Sequence, residues 1–141
     1  MPAYDPDIRT RTLARVVGPY LAIMAVALIV RQGSLFLLLP AFMQDGPLVL
    51  ATGAFTLMAG LVMLAAHHHW RGAAAIVISA IAVITTLKGA MLMIAPLAGA
   101  ALSAAVARTP LVLTLIAAAV FIIGLWLAFI GWAPARNART S

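Results

Sequence analysis

Cysteine is absent from this sequence, and acidic residues are rare. Without cysteine among its 141 residues, the chain has no disulfides, thiolate metal sites or cysteine nucleophiles. Its three acids, Asp5, Asp7 and Asp45, fall in flanks or loops. The apolar segments therefore contain no carboxylate. A pair of carboxylates for general acid–base catalysis is missing from them.

Charge of either sign is also sparse. Charged residues make up 9% of the chain and hydrophobic residues 65%, against roughly 25% and 45–50% in soluble domains. A chain this short cannot bury such an excess in one core, so lipid must solvate it. The net charge is +6, but the basic residues are scattered singly, without the basic stripe of a nucleic-acid-binding protein. The composition predicts an integral membrane protein with no nucleic-acid partner.

Long apolar runs predict four membrane-spanning helices in a single membrane domain that comprises residues 1–141. The spans are expected at about residues 13–30, 47–66, 73–95 and 110–132. The second and fourth each open on a capping residue followed by proline, in Asp45-Gly46-Pro47 and Thr109-Pro110, and Pro96 closes the third. The predicted fold is an all-α four-transmembrane-helix bundle.

The region after the first span is less regular. Residues 34–43, SLFLLLPAFM, are too few to cross a bilayer, and Pro40 disfavours a straight helix. We expect the first span to end at RQG and a short interfacial segment to follow it. An alternative places the first span at residues 20–43 and buries Arg31 in the membrane. The N-terminal segment resembles a signal peptide but has no small-residue cleavage site, so we expect it to be retained.

The basic residues indicate an orientation. Four spans place both termini on one side of the membrane, and the arginines then divide six to two between the sides. The larger group contains Arg9, Arg11, Arg15, Arg71, Arg136 and Arg139; the smaller contains Arg31 and Arg108. Because basic flanks stay in the cytoplasm, both termini are expected to be cytoplasmic. Trp70 and Trp132 lie at the same boundary and are predicted interface anchors.

Small residues recur at helix-contact spacing. The candidate packing residues are Gly53, Gly60, Gly89, Gly124, Ala128 and Gly131. Lipid provides no hydrophobic drive for helices to associate, so they pack by close backbone approach at such residues. A tight bundle is therefore expected.

Lys88 is the most informative polar residue. It lies about 12 Å inside the end of the third span, where an ammonium is unfavourable unless it snorkels, meets water or has a partner. Thr85, one turn earlier on the same face, is a candidate hydrogen-bond partner. Three interpretations stay open: a neutral or snorkelling structural lysine, a site for an anionic lipid or substrate, or an ion pair with another subunit's acid.

His67, His68 and His69 lie between the second and third spans. Consecutive helical residues point about 100° apart, so the three rings cannot converge on one ion, and the i, i+4 spacing of metal-binding helices is missing. A solvated cytoplasmic turn is the favoured interpretation, with a metal site or a proton-sensing role as alternatives because imidazole titrates near about pH 6.5. No metal or other cofactor is predicted.

The pattern HHHW…LKG…P resembles a group of small, uncharacterised bacterial integral membrane proteins. They have a His-Asn-x-Trp turn after the second span, then a Lys-Gly pair and a proline. The matching residues are His67, Trp70, Lys88, Gly89 and Pro96. The pattern departs at His68, where asparagine is usual, and at Ala82-Val83, in place of Gly-Trp. The resemblance implies a compact helical bundle in a bacterial inner membrane, with no known activity.

Three functions are compatible with these residues. The first is a non-catalytic accessory or structural subunit of a membrane assembly, which fits the scarcity of intramembrane polar groups. The second is a small oligomeric transporter or ion-conducting protein using Lys88, although four-span multidrug exporters depend on a first-helix glutamate that is missing here. An enzyme acting on lipid or quinone ranks last, since no catalytic residue is predicted. The small interior volume favours a homo-oligomer or heteromeric complex in the lipid membrane.

Overall fold

A computed structural model describes residues 6–66 and 72–133 of the chain, and within these ranges every regular element is an α-helix. The helices are α1 (Pro6–Gln44), α2 (Gly46–Ala66), α3 (Ala73–Ile94), α4 (Pro96–Ala107) and α5 (Pro110–Trp132). Four segments are long and apolar enough to cross a membrane: Thr10–Leu35 within α1, and the whole of α2, α3 and α5. The predicted all-α, four-span membrane architecture is confirmed.

Helices α2, α3 and α5 begin and end within one residue of the predicted spans. At the start of α2 the Leu48 backbone N–H donates to Asp45 Oδ1 at 3.1 Å, which satisfies one of the donors that a first turn leaves unpaired. Pro110 opens α5 and Thr109 is its N-cap residue, as predicted, but the Thr109 side chain makes no capping hydrogen bond. Its hydroxyl donates to the Ala105 carbonyl oxygen of α4 at 3.4 Å instead, the i to i−4 bond that a threonine side chain can make to the turn before it.

Helix α1 continues where the sequence predicted a break. Its 39 residues run from Pro6 to Gln44 without interruption, so no helix end coincides with RQG, where we expected the first span to end. Gly33 has no positive φ, so it does not end α1 by the left-handed conformation that commonly terminates helices. At 1.5 Å per residue α1 is about 58 Å long, nearly twice the ~30 Å hydrocarbon core. The interfacial position of residues 34–43 stays a prediction.

Helix α4 was not predicted. It has 12 residues, begins at Pro96 and is rich in alanine, which favours helix formation. It is too short to cross a bilayer. It packs against α1 and α3 as well as its chain neighbour α5, and it therefore fills the bundle at the end where α1 joins α2.

The four long helices form two antiparallel pairs. In sequence order, the α2–α3 pair lies between the two members of the α1–α5 pair. Helix α1 packs chiefly against α5, and α2 chiefly against α3. The two pairs meet in a buried cluster of Ala14, Val17, Ile78 and Leu127. This cluster lies at the end of the bundle where α1 begins and α5 ends, opposite α4.

The backbones of α1 and α5 touch at small residues. A Cβ atom added to Gly124 would lie 2.7 Å from the Ala22 backbone nitrogen and 2.8 Å from the Gly18 carbonyl oxygen. Gly18 in turn faces the Ala128 backbone, and Gly131 faces that of Arg15. The predicted packing residues of α5 therefore lie at its interface with α1.

The α2–α3 pair is built in the same way. Gly60 lies against the backbone of Thr86, and Gly89 against that of Leu57. Gly53 faces the side chains of Leu92 and Met93, where an added Cβ would be 2.8 Å from Met93 Cγ. Sequence reasoning missed Thr86 and, in the other pair, Gly18. The small residues Ala14, Gly18 and Ala22, four apart, were the signal for the latter.

Candidate functional site

Lys88 lies on the outer surface of α3. It is exposed, as are Ile84 and Leu87, at 65% and 63%, whereas the next residue, Gly89, is buried against α2. Lys88 makes no hydrogen bond or ion pair with any residue in the described ranges. Ile94, the last residue of α3, is six residues away, about 9 Å along the axis. The ammonium therefore faces whatever surrounds the bundle, and not its interior.

The neighbouring threonines have different surroundings. Thr85 is half-buried, and in the part of the chain that the structure describes it forms no hydrogen bond with Lys88. The Thr86 hydroxyl donates to the Ala82 carbonyl oxygen at 2.8 Å, and its backbone is the contact surface for Gly60. Thr86 therefore belongs to the α2–α3 contact, and the predicted bond from Thr85 to Lys88 is not formed here.

Several other predicted site residues lie outside the described residues. These are His67, His68, His69 and Trp70, and the interpretations of the histidine turn stay predictions. Within residues 6–66 and 72–133, no group of three or more histidine, aspartate or glutamate side chains is arranged to hold a metal ion.

Two arginines of α1 bind the end of α5. Arg15 Nε donates to the Gly131 carbonyl oxygen at 2.6 Å, and Arg11 Nη1 to that of Ala133 at 3.1 Å. The last carbonyls of a helix have no intrahelical partner and form the negative end of its dipole. The Arg15 guanidinium also lies 5.9 Å from the centre of the Trp132 ring, within cation–π range. Sequence reasoning assigned these residues to orientation and interface anchoring and missed this link between α1 and α5.

A groove lies between the last turns of α1 and helix α4, with a volume of about 290 Å³. Its lining residues are Leu35, Leu39, Pro40, Met43, Ala100, Ala101, Ala104 and Arg108. Arg108 is the one charged residue among these eight. The sequence did not indicate this groove, because neither α4 nor the continuation of α1 was predicted.

The interior of the bundle is apolar. Among the described residues Ser79, at 2% exposure, is the one buried polar residue, and it has an interaction partner. In the same part of the chain no buried side-chain nitrogen or oxygen lacks a hydrogen bond. The interior polar side chains of the described residues are therefore satisfied within the protein.

The candidate residues do not converge on one site. Lys88 lies on the outside of α3, Trp132 at the end of α5, and Arg108 at the groove beside α4. Comparison with known protein families, curated proteins and solved structures finds no significant match. The resemblance to small bacterial membrane proteins therefore stays a prediction, and function has to be argued from these residues.

Proposed function

We propose that this protein is a non-catalytic accessory or structural subunit of a membrane assembly. The observation that carries the proposal is the outward position of Lys88. A charged residue within a spanning helix normally faces the bundle interior or a water-filled cavity. In this chain it lies beside Ile84 and Leu87 on a surface that only lipid or another chain can contact.

The packing of the helices supports this proposal over transport by a single chain. A transport path needs polar or water-accessible residues along its length. Apart from Ser79, the buried side chains of the described interior are alanine, valine, isoleucine and leucine, and backbones are in contact at Gly124 and Gly89. Only 17–28% of each spanning window is buried, so wide apolar surfaces are free for association with other membrane chains.

Lys88 itself suggests the chemistry of the contact. Its ammonium, about 9 Å from the helix end, is stabilised either by snorkelling to the head groups or by a carboxylate of a neighbouring subunit. The same position supports a second candidate, a homo-oligomeric transporter or channel in which Lys88 lines an interface between copies. The six-to-two arginine distribution and the resemblance favour a bacterial inner membrane with cytoplasmic termini.

The deciding experiment is native mass spectrometry of the affinity-tagged chain extracted in polymer nanodiscs from its own membranes. We expect a heteromer of fixed stoichiometry, weakened by Lys88→Met and unaffected by Arg31→Met, which removes an exposed charge from α1. A chain recovered only as a monomer would contradict the proposal. Flux across vesicles containing the purified chain alone, abolished by Lys88→Met, would establish the second candidate in its place.

Orientation has a direct test, because the chain has no cysteine. Single-cysteine variants Ser141→Cys and Thr109→Cys are treated on intact cells with a membrane-impermeant maleimide. We expect labelling at position 109 and protection at position 141 until the cells are opened. The reverse pattern would place the termini outside.

A further inference from the structure

The groove between α1 and α4 exists because α1 extends past the start of α5. The Thr114 hydroxyl donates to Gln32 Oε1 at 3.3 Å, so residue 32 lies beside the first turns of α5. The turns of α1 that follow Gln32 therefore extend beyond α5, and α4 packs beside them instead. Leu35, Leu39 and Met43, each four residues apart, form one wall, and Ala100, Ala101 and Ala104 the other. The short alanine side chains leave the space open.

Arg108 gives this apolar groove a charged end. It directly follows α4 and precedes the Thr109-Pro110 start of α5. It is exposed, and its side chain makes no hydrogen bond or ion pair with the described residues. A cation at one end of an apolar channel is complementary to a molecule with an acyl chain and an anionic head.

We infer that this groove binds an anionic phospholipid, with part of one acyl chain between α1 and α4 and the phosphate at Arg108. The wall from Leu35 to Met43 is about 12 Å long. The volume of about 290 Å³ is near the lower limit of small-molecule pockets, about 300 Å³. A transmembrane helix, at least ~10 Å wide, does not fit a groove of this volume. Among the described lining residues, a polar solute would find a side-chain hydrogen-bond donor only at Arg108.

The inference is tested by native mass spectrometry of the delipidated, detergent-purified full chain titrated with phosphatidylglycerol or phosphatidylcholine. Two variants address the two halves of the site. Arg108→Gln removes the charge, and Ala104→Phe fills the groove without changing any charge. Each has a matched control elsewhere on the outer surface: Arg31→Gln for the charge, and Ala119→Phe, on α5, for the bulk.

We expect one tightly retained phosphatidylglycerol in the wild type and in both controls, and no equivalent retention of phosphatidylcholine. Loss of a charge-assisted contact to the phosphate corresponds to about a ten-fold weaker affinity in Arg108→Gln. Ala104→Phe is expected to weaken binding by at least as much while the protein stays helical and elutes at the same size. If Ala104→Phe bound phosphatidylglycerol like the wild type, or Arg31→Gln lost as much affinity as Arg108→Gln, surface charge alone would explain retention and the groove site would be refuted.

Discussion

The contact between α1 and α5 predicts a specific response to a single methyl group at Gly124. An added Cβ would lie 2.7 Å from the Ala22 backbone nitrogen, whereas ordinary van der Waals contact begins at 3.4 Å. The neighbouring atoms are backbone, which cannot rotate away as a side chain can. Gly124→Ala must therefore push the two helices apart by about 0.7 Å at this level.

The expected magnitude is obtained by comparison with Gly33→Ala. Both substitutions replace a glycine inside a helix, which by itself favours the helix by about 1 kcal/mol. Nothing lies within 4 Å of a Cβ added at Gly33, so only Gly124→Ala adds the overpacking term of about 1–3 kcal/mol. The propensity term cancels in the difference. Gly124→Ala should therefore be less stable than Gly33→Ala by about 1–3 kcal/mol.

Reversible unfolding in mixed detergent–SDS micelles, followed by tryptophan fluorescence, measures this difference. Trp132, whose ring on α5 lies 5.9 Å from the Arg15 guanidinium of α1, reports the separation of the two helices. Gly18→Ala should lower the free energy of unfolding by a similar amount. The double variant Gly18→Ala/Gly124→Ala should lower it by less than the sum of the two single changes, because both residues share one contact. Free energies for Gly124→Ala and Gly33→Ala that agree within about 0.5 kcal/mol would refute the close approach of the two backbones.

Three further changes have expected outcomes in the same unfolding assay. Arg15→Met removes the bond to the Gly131 carbonyl and should lower the free energy of unfolding by about 1.5–3 kcal/mol; an unchanged value would argue against the arginine link. Asp45→Ala should lower the free energy of unfolding by about 1 kcal/mol through loss of the α2 cap. Thr109→Ala removes no capping hydrogen bond, so its free energy of unfolding should stay within about 0.5 kcal/mol of the wild type. Lys88→Met should not destabilise the isolated chain, because Lys88 is exposed and makes no hydrogen bond or ion pair with a described residue; a large loss would place its ammonium in an internal contact.

Hydrophobic length and turn chemistry made three of the spans predictable. For α2, α3 and α5 the apolar run matches the bilayer thickness and is bounded by Asp45-Gly46-Pro47, Pro96 and Pro110. These are local signals, readable within a few residues. In α1 the local signals at Arg31 and Pro40 were misleading. Packing of the later turns against α4 stabilises a helix that its own sequence would interrupt.

The candidate site could be predicted only in part from the sequence. Lys88 stands out in any reading because a charge within an apolar run is rare. Its outward position depends on which side of α3 packs against α2, and that depends on Gly89 meeting the Leu57 backbone. The carbonyls that bind Arg11 and Arg15 have no signature in the sequence, because every residue carries one.

The sequence by itself determined that lipid solvates this chain and where α2, α3 and α5 begin and end. These features depend on side-chain solvation and on contacts within a few residues. Only the tertiary structure decided that α1 pairs with α5, that Lys88 faces outward and that Arg108 ends a groove. Each of these requires surfaces from segments far apart in the chain to meet. Such meeting is decided by the steric fit of small residues such as Gly18 and Gly124. Their spacing marks them as packing residues in the sequence, but it does not say which helix each of them meets.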